Sequence, residues 1–341
     1  MNKLFKKDAI FIVAELSANH NNDFDLTVKT IEAMAKSGAN AVKVQTYTAD
    51  SLALDVDNEY FGPLKEGLWK GQRRYDLYKK GSMPWGWQPK LKKIAEKLGL
   101  IFFSSPFDFT AVDYLEKMKI PIYKVASPEI TDIPLIKYIA EKGKPIIFSS
   151  GMASLEDIEL AIKTCLEVGN NNISILKCTS QYPASIEDAN LVTLMDMKKR
   201  FGFEVGVSDH TMGDIVPIVA VALGAKIIEK HFILDRKIGG VDSSFSMEPD
   251  EFKKMVDKIR LAEDSLGTVD YKITKKDKLR RRSLFIVKDI KKGEKLTEEN
   301  IRSIRPGFGL HPKYFEKIIG KKSNKNLKRG APLNLDLIKM I

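Results

Sequence analysis

Eight short apolar runs recur through the first 267 residues, and a segment with helical spacing separates each from the next. The runs lie at 10–14, 41–45, 101–103, 122–125, 145–148, 173–176, 204–207 and 225–229. Helix-period segments such as 26–37, 88–98, 135–142 and 155–168 lie between them. Gly38, Gly99, Gly143 and Gly169 close these helices. Strands apolar on both faces must be covered on both, and strict β/α alternation supplies that cover. Eight such units in about 270 residues predict an α/β fold, a closed (β/α)8 TIM barrel over 1–268. The rival, an open doubly wound sheet, normally carries one Gly-rich phosphate loop. Neither GxGxxG nor GxxxxGK[ST] occurs here.

Beyond the barrel the composition changes. Residues 271–341 hold 21 Lys and Arg against 7 Asp and Glu, whereas 1–270 hold 35 against 38. The stretch KITKKDKLRRR (272–282) reads as part of a charged linker over 269–282. A small domain is expected over 283–341, with a strand-like run at 283–287, a short helix starting at Thr297 and a polar helix around 312–319. About sixty residues make a marginal core alone, so this domain is expected to dock on the barrel or on a partner subunit. It lacks interleaved aromatics and any nucleic-acid motif, so its charge reads as a solvated face or as cations for an anionic substrate, rather than as nucleic-acid binding. The N-terminal MNKLFKKDAIFIVAEL reads as a first strand because its short apolar run is broken by Glu15. No apolar run approaches the ~20 residues of a membrane span. Cys165 in a helical pattern and Cys178 at a strand end read as buried free thiols, which fits a reducing cytoplasm.

One connection is longer than the alternation needs. Residues 46–87 hold all three tryptophans, Trp69, Trp85 and Trp87, with Tyr75 and Tyr78. Long excursions in compact domains are usually lids or binding loops. The aromatics read either as sugar-stacking surfaces or as plain packing over the barrel.

Residues at and just past the carboxyl ends of barrel strands form the active-site face. Here nearly all are polar. The list runs Glu15, Ser17, Asn19 and His20; Lys43, Gln45 and Thr46; Ser104, Ser105 and Phe107; Lys124, Ser127 and Glu129; Ser149, Ser150 and Gly151; Lys177, Thr179, Ser180, Gln181 and Tyr182; Ser208, Asp209 and His210; Glu229, Lys230 and His231. Lys43 and Lys124 among hydroxyls read as a cradle for a phosphate and a carboxylate. The plainer reading pairs them with Glu15, Glu129 or Glu229. His210 and His231 are two of only four histidines, at matching places in successive units. They read as a two-histidine site for a divalent metal with open positions. For His20 three readings stand open: third ligand, substrate contact or local turn residue. A rim lysine also raises a Schiff-base aldolase. That chemistry needs a depressed lysine pKa, whereas the surrounding hydroxyls and carboxylates favour the charged form.

The motifs AELSANHN (14–21), VKVQT (42–46), FSSPFD (103–108), YKVASPE (123–129), FSSGM (148–152), KCTSQYP (177–183), VSDHT (207–211), IEKHF (228–232) and IRPGFG (304–309) cover nearly the whole chain. In this order they resemble the sialic acid synthase family, phosphoenolpyruvate-dependent nonulosonate synthases with a barrel followed by an antifreeze-like (SAF) domain. The family's usual EIG-x-NHNG reads here Glu15-Leu16-Ser17-Ala18-Asn19-His20-Asn21-Asn22, and the asparagine that often follows CT of strand 6 is Ser180. The first motif, residues 67–78 and GGVDSSFSMEP (239–249) resemble the branch that takes 2,4-diacetamido-2,4,6-trideoxy-L-altrose, rather than the N-acetylneuraminate or legionaminate branches.

The resemblance implies condensation of phosphoenolpyruvate with that sugar and water. It implies Glu129, Glu15 and Lys124 as catalytic residues. Lys43 and Ser127 fall at carboxylate-binding positions. Lys124, Ser105, Ser149, Ser180 and Ser208 fall on the phosphate side. Glu15, Gln45, Phe107, Tyr182 and Asp242 face the sugar, with Arg305 supplied by the partner subunit of a domain-swapped homodimer. His210 and His231 would hold Mn2+ or Mg2+.

Overall fold

The structure, a computed structural model, describes residues 9–339. The chain divides after Gly267 into two compact units. In the first, eight parallel strands close a barrel in sequence order: β1 (Phe11–Glu15), β2 (Ala41–Thr46), β3 (Ile101–Pro106), β4 (Tyr123–Val125), β5 (Ile146–Ser149), β6 (Ile173–Cys178), β7 (Glu204–Asp209) and β8 (Ile227–His231). β1 closes on β8 in register from Phe11↔Ile227 to Glu15↔His231. The predicted (β/α)8 barrel is therefore the fold.

All strands but β4 run one to three residues past the apolar runs in the sequence, into the polar rim. Parallel pairing needs only backbone groups, so a strand continues wherever its polar side chains find a polar interior. Period-two alternation then sorts the side chains. Outward residues such as Ile12, Val42, Phe102 and Ile228 pack under the helices. Inward, Phe11, Val13, Ala41, Phe103, Ile122, Ile147, Leu176 and Ile227 form an apolar plug. β7 contributes Gly206 to this level because a Cβ there would stand 2.2 Å from the Ile227 carbonyl and 2.7 Å from Leu176. Truncating a plug residue such as the fully buried Phe103 to Ala would cost about 3–5 kcal/mol. Two residues further along each strand, the inward positions are Glu15, Lys43, Ser105, Lys124, Ser149, Cys178, Ser208 and Glu229. The plug is thus the floor of a polar chamber.

The helices begin at side-chain caps. Asp23 accepts from Leu26 N at the start of Phe24–Lys36. Asp132 caps Ile133–Ala140, and Ser154 and Asp157 form a capping box on Leu155–Glu167. The excursion at 46–87 contains helices Ala49–Leu52 and Arg74–Gly81 and a turn of 3-10 helix at Trp85–Trp87. Trp85 Nε1 donates to the Tyr47 carbonyl, and Trp87 packs edge-on against Phe24 and His20. These two tryptophans serve packing.

In the second unit, β9 (Ser283–Ile286) pairs antiparallel with β10 (Ile301–Ile304). Leu284, Ile286, Leu296, Ile301, Ile318 and Leu333 lie in its core. The helix expected from Thr297 is absent. The Asn300 side chain accepts from Thr297 N and donates to the Lys295 carbonyl, which makes a turn that leads directly into β10. The polar helix is a 3-10 turn, Pro312–Tyr314, and one α-turn, Phe315–Ile318. Within 269–282 a short helix, Lys275–Arg280, starts at a Thr274–Asp277 capping box. Cys165 and Cys178 are buried free thiols. Among the described residues, no helix is long and apolar enough to cross a membrane.

Candidate active site

The polar chamber is held together by charge. Lys43 Nζ lies 2.8 Å from Glu15 Oε2 and 3.3 Å from Glu229 Oε1, and all three are buried. Burial works against charge on Lys43, but Glu15 and Glu229 outweigh it and hold the ammonium above the usual lysine range. Burial pushes Glu15 up to about 7, against the pull of Lys43. Burial also opposes ionisation of Glu229, yet Lys43 and Lys124 leave it below the usual carboxylate range. Lys43 therefore follows the plainer, ion-paired reading.

Lys124 does not. It donates to Ser149 Oγ (2.5 Å) and the Val125 carbonyl (2.9 Å) and makes no salt bridge among the described residues. Burial brings its pKa down to about 8, more than Glu229 and Glu15 restore. The expectation that nearby carboxylates keep both lysines at their ordinary basicity thus fails for Lys124. Desolvation outweighs partners that act only through space.

Around Lys124 lies a cradle of hydroxyls. Ser127 Oγ accepts from Gly151 N at 3.1 Å, and Ser208 Oγ donates to Glu229 Oε1 at 3.1 Å. A Cβ on Gly151 would stand 2.2 Å from Ser180 Oγ and 2.9 Å from Ser127 Oγ. The cradle therefore exists only with glycine at its wall. Glu129, following β4, is pushed up to about 7 by burial. Ser105 Oγ, Glu129 Oε2, Glu15 Oε1, Glu229 Oε2 and His231 Nδ1 are buried without a hydrogen-bond partner. Such atoms are rare in a folded interior and cluster where a polar ligand is meant to sit.

Above the chamber, the imidazoles of His210 and His231 stand 5.2 Å apart between centroids. Their strands are neighbours, as their matching sequence positions predict. His210 Nδ1 lies 2.9 Å from the Thr179 carbonyl and 3.8 Å from Cys178 Sγ. The carbonyl takes the Nδ1 proton, which leaves a lone pair on Nε2. His231 is held well below the usual histidine range by burial, His210, Lys43 and Lys230, so it is neutral. Burial works against charge on His210, but Cys178 and the Thr179 carbonyl outweigh it and hold its pKa above the usual histidine range. Two adjacent imidazoles, one oriented by a backbone carbonyl and one with a buried orphan nitrogen, fit a divalent transition metal, which binds in competition with the proton. No third His, Cys, Asp or Glu joins them in a cluster among the described residues. His20 is a turn residue: Nε2 lies 3.0 Å from the Gly81 carbonyl and Nδ1 accepts from Asn22 N.

Tyr182 stacks 4.5 Å from His210 and 5.1 Å from Phe245, and Phe245 lies 4.9 Å from His231. Trp69 packs on Tyr182 at 5.8 Å and donates from Nε1 to the Val241 carbonyl, which brings the 46–87 excursion onto this aromatic wall. Asp242 Oδ2 lies 3.9 Å from His231 Nδ1. Gln45 Nε2 and Asp242 Oδ2 both bond Ser17 Oγ. Phe107 packs edge-on with Tyr47, on the excursion's side. Arg305 stands in the second unit, exposed and without an ion-pair partner among the described residues. In the sequence Glu229 stood only as an ion-pair partner for a rim lysine, Ser17 and Gly151 stood in the rim without a role, and Phe245 was not singled out. Glu229 was legible as the inward neighbour two residues before His231, whereas Phe245 carries no local signal.

A NeuB family model matches residues 30–271 and a SAF domain model matches residues 281–339. The chain is 45% identical to a pseudaminic acid synthase of Campylobacter jejuni over 95% of each chain. It is 46% identical to that of Helicobacter pylori, over 95% of this chain and 96% of the other. A legionaminic acid synthase of Legionella pneumophila is 36% identical over 95% and 93%. Among solved structures, the N-acetylneuraminic acid synthetase of Leptospira borgpetersenii superposes with TM-score 0.70 at 33% identity, covering 79% of this chain and 89% of that one. The spore coat polysaccharide biosynthesis protein SpsE of Bacillus subtilis superposes with TM-score 0.66 at 33% identity over 98% and 97%.

Proposed function

The chain belongs to the NeuB family, and from that premise we propose that it is a pseudaminic acid synthase. It condenses phosphoenolpyruvate with 2,4-diacetamido-2,4,6-trideoxy-L-altrose and water, releasing pseudaminic acid and phosphate. One observation carries the chemistry. The barrel interior is apolar at its floor and then, within two residues, becomes a chamber of two lysines, several hydroxyls and buried orphan polar atoms. That is a receptacle for a small ligand with two anionic ends. The choice of sugar rests on the 44–46% identity to pseudaminic acid synthases.

In this reading Lys43 and Ser127 hold the phosphoenolpyruvate carboxylate. Lys124, Ser105, Ser149, Ser180 and Ser208 surround the phosphate. An ammonium at about 8 remains charged at neutral pH, and a bound phosphate holds the proton more firmly. Carbon 3 of phosphoenolpyruvate attacks the aldehyde of the open-chain sugar, water adds at carbon 2, and the C–O bond breaks to free phosphate. Glu129, poised near 7, exchanges the proton of that water. Glu15, Gln45, Phe107, Tyr182 and Asp242 face the sugar. His210 and His231 would hold Mn2+ or Mg2+, which supplies Lewis-acid polarisation of the aldehyde oxygen. Arg305 reaches the sugar from the partner subunit of a domain-swapped homodimer. The buried free thiols accord with a cytoplasmic enzyme.

The deciding experiment is an acceptor panel with phosphoenolpyruvate: the altrose derivative, N-acetylmannosamine and the legionaminate precursor. Phosphate release should depend on sugar and be fastest with the first. Preference for another acceptor would move the chain to the N-acetylneuraminate or legionaminate synthases. The depressed pKa of Lys124 favours one second reading, a Schiff-base aldolase. Borohydride trapping of pyruvate on the protein, with activity indifferent to EDTA, would establish it in place of the synthase.

A further inference from the structure

Ser17 sits just past β1, at φ +47. The left-handed region costs any residue with a Cβ, and serine is not among the types that tolerate it well. Asn21 and Asn22 of the same loop share that conformation (φ +46 and +54), but asparagine is commonly found there. A glycine at position 17 would remove the strain, so the hydroxyl is the feature for which the strain is kept.

The hydroxyl has two specific partners. Ser17 Oγ donates to Asp242 Oδ2 at 2.5 Å and accepts from Gln45 Nε2 at 3.1 Å. Ala18 N adds a longer bond to Asp242 Oδ2 at 3.4 Å. The barrel order explains the reach. β1 lies between β8 and β2, so a side chain just past its end can meet both the loop after β8, which carries Asp242, and the end of β2, which carries Gln45. Ser17 is only 4% exposed, and its bond to Asp242 is buried, whereas the one from Gln45 is part-buried.

We infer that Ser17 is a positioning residue for acceptor specificity, acting through Asp242 and Gln45. The inference rests on the synthase reading above. With one proton to give, Ser17 fixes which oxygen of Asp242 it occupies. With its lone pair it fixes the orientation of the Gln45 amide. Gln45 Oε1 and Asp242 Oδ1 are thereby left as acceptors on opposite sides of β1. A pair of acceptors held apart suits a sugar that offers separate N–H donors, as a diacetamido sugar does. A sugar with one acetamido group lacks one of them. Loss of the hydroxyl frees both side chains to rotate and discards the distinction.

The test uses the full chain and the acceptor panel. Ser17→Gly and Ser17→Ala should each raise the KM for the diacetamido sugar roughly tenfold, as loss of a hydrogen bond to a charged group predicts. The phosphoenolpyruvate KM should stay within about twofold. Ser17→Gly should melt no lower than wild type, which separates the hydroxyl's role from any backbone role. Adding Ser17→Gly to the Gln45→Ala, Asp242→Ala double variant should bring no further rise in the sugar KM. An unchanged sugar KM in Ser17→Gly, or a parallel rise in the phosphoenolpyruvate KM, overturns the inference while leaving the synthase reading intact. Wild-type protein that releases no phosphate in response to any sugar overturns the synthase reading, and the inference with it.

Discussion

Lys124→Met should separate the stability of this barrel from its chemistry. The wild-type ammonium is 1% exposed and its pKa falls from 10.5 to about 8 through burial. The unfolded chain therefore binds this proton more tightly than the native one. Stability attributable to the group is lowest below pH 8 and recovers as pH rises from 8 towards 10.5. A shift of this size is a burden of about 3 kcal/mol at pH 7. Methionine has a similar shape and no charge, so it removes that burden. It also removes two hydrogen bonds, to Ser149 and Val125, each worth about 1 kcal/mol. The variant should therefore be more stable than wild type at pH 7 by about 1 kcal/mol. The wild type should gain about 2 kcal/mol on the variant between pH 8 and 10, so the order of stability should reverse across that range. Urea unfolding of both proteins across that range, followed by tryptophan fluorescence because all three tryptophans lie in the barrel unit, measures the difference. Phosphate release from phosphoenolpyruvate should vanish. A variant less stable than wild type by the same amount at every pH would show that Lys124 is stabilised by its partners and not burdened by burial.

Gly151→Ala should raise the phosphoenolpyruvate KM at least about tenfold, because the new methyl occupies the space of Ser180 and Ser127; an unchanged KM in steady-state assays would remove that cradle from the site. His231→Ala should abolish Mn2+ binding, read by equilibrium dialysis, with thermal melting little changed; full metal stoichiometry would exclude this histidine as a ligand. Arg305→Ala should raise the sugar KM roughly tenfold and leave the melting temperature alone, since the side chain is exposed and has no ion-pair partner among the described residues. Unchanged kinetics would refute a contribution of this arginine to the partner's site.

Much of this was readable from the order of residues alone. Eight apolar runs alternating with helices permit few topologies, because each strand must be buried on both faces. Position at the strand ends already placed Glu15, Lys43, Lys124, Ser149, Ser208 and Glu229 at one rim, and matching positions put His210 beside His231. The strand ends were misread where apolarity stopped, since pairing depends on backbone and not on side-chain polarity. Thr297 was misread as a helix start because Asn300 closes a turn there instead.

What the sequence could not reveal depends on distances across the barrel. Lys43 and Lys124 look alike in sequence, yet one touches two carboxylates and keeps its charge firmly, while the other meets only a hydroxyl and a carbonyl and loses basicity. His20 sits in the same kind of motif as the other rim residues, yet both ring nitrogens are used within its own turn and against the excursion. Ser17 reads as one more small polar residue until its left-handed backbone and its bonds to β2 and the β8 loop are seen together. Local pattern determined which face each side chain occupies. Only closure of the barrel, by bringing β8 against β1, decided which charges meet, and so which of them are held, shifted or spent on structure.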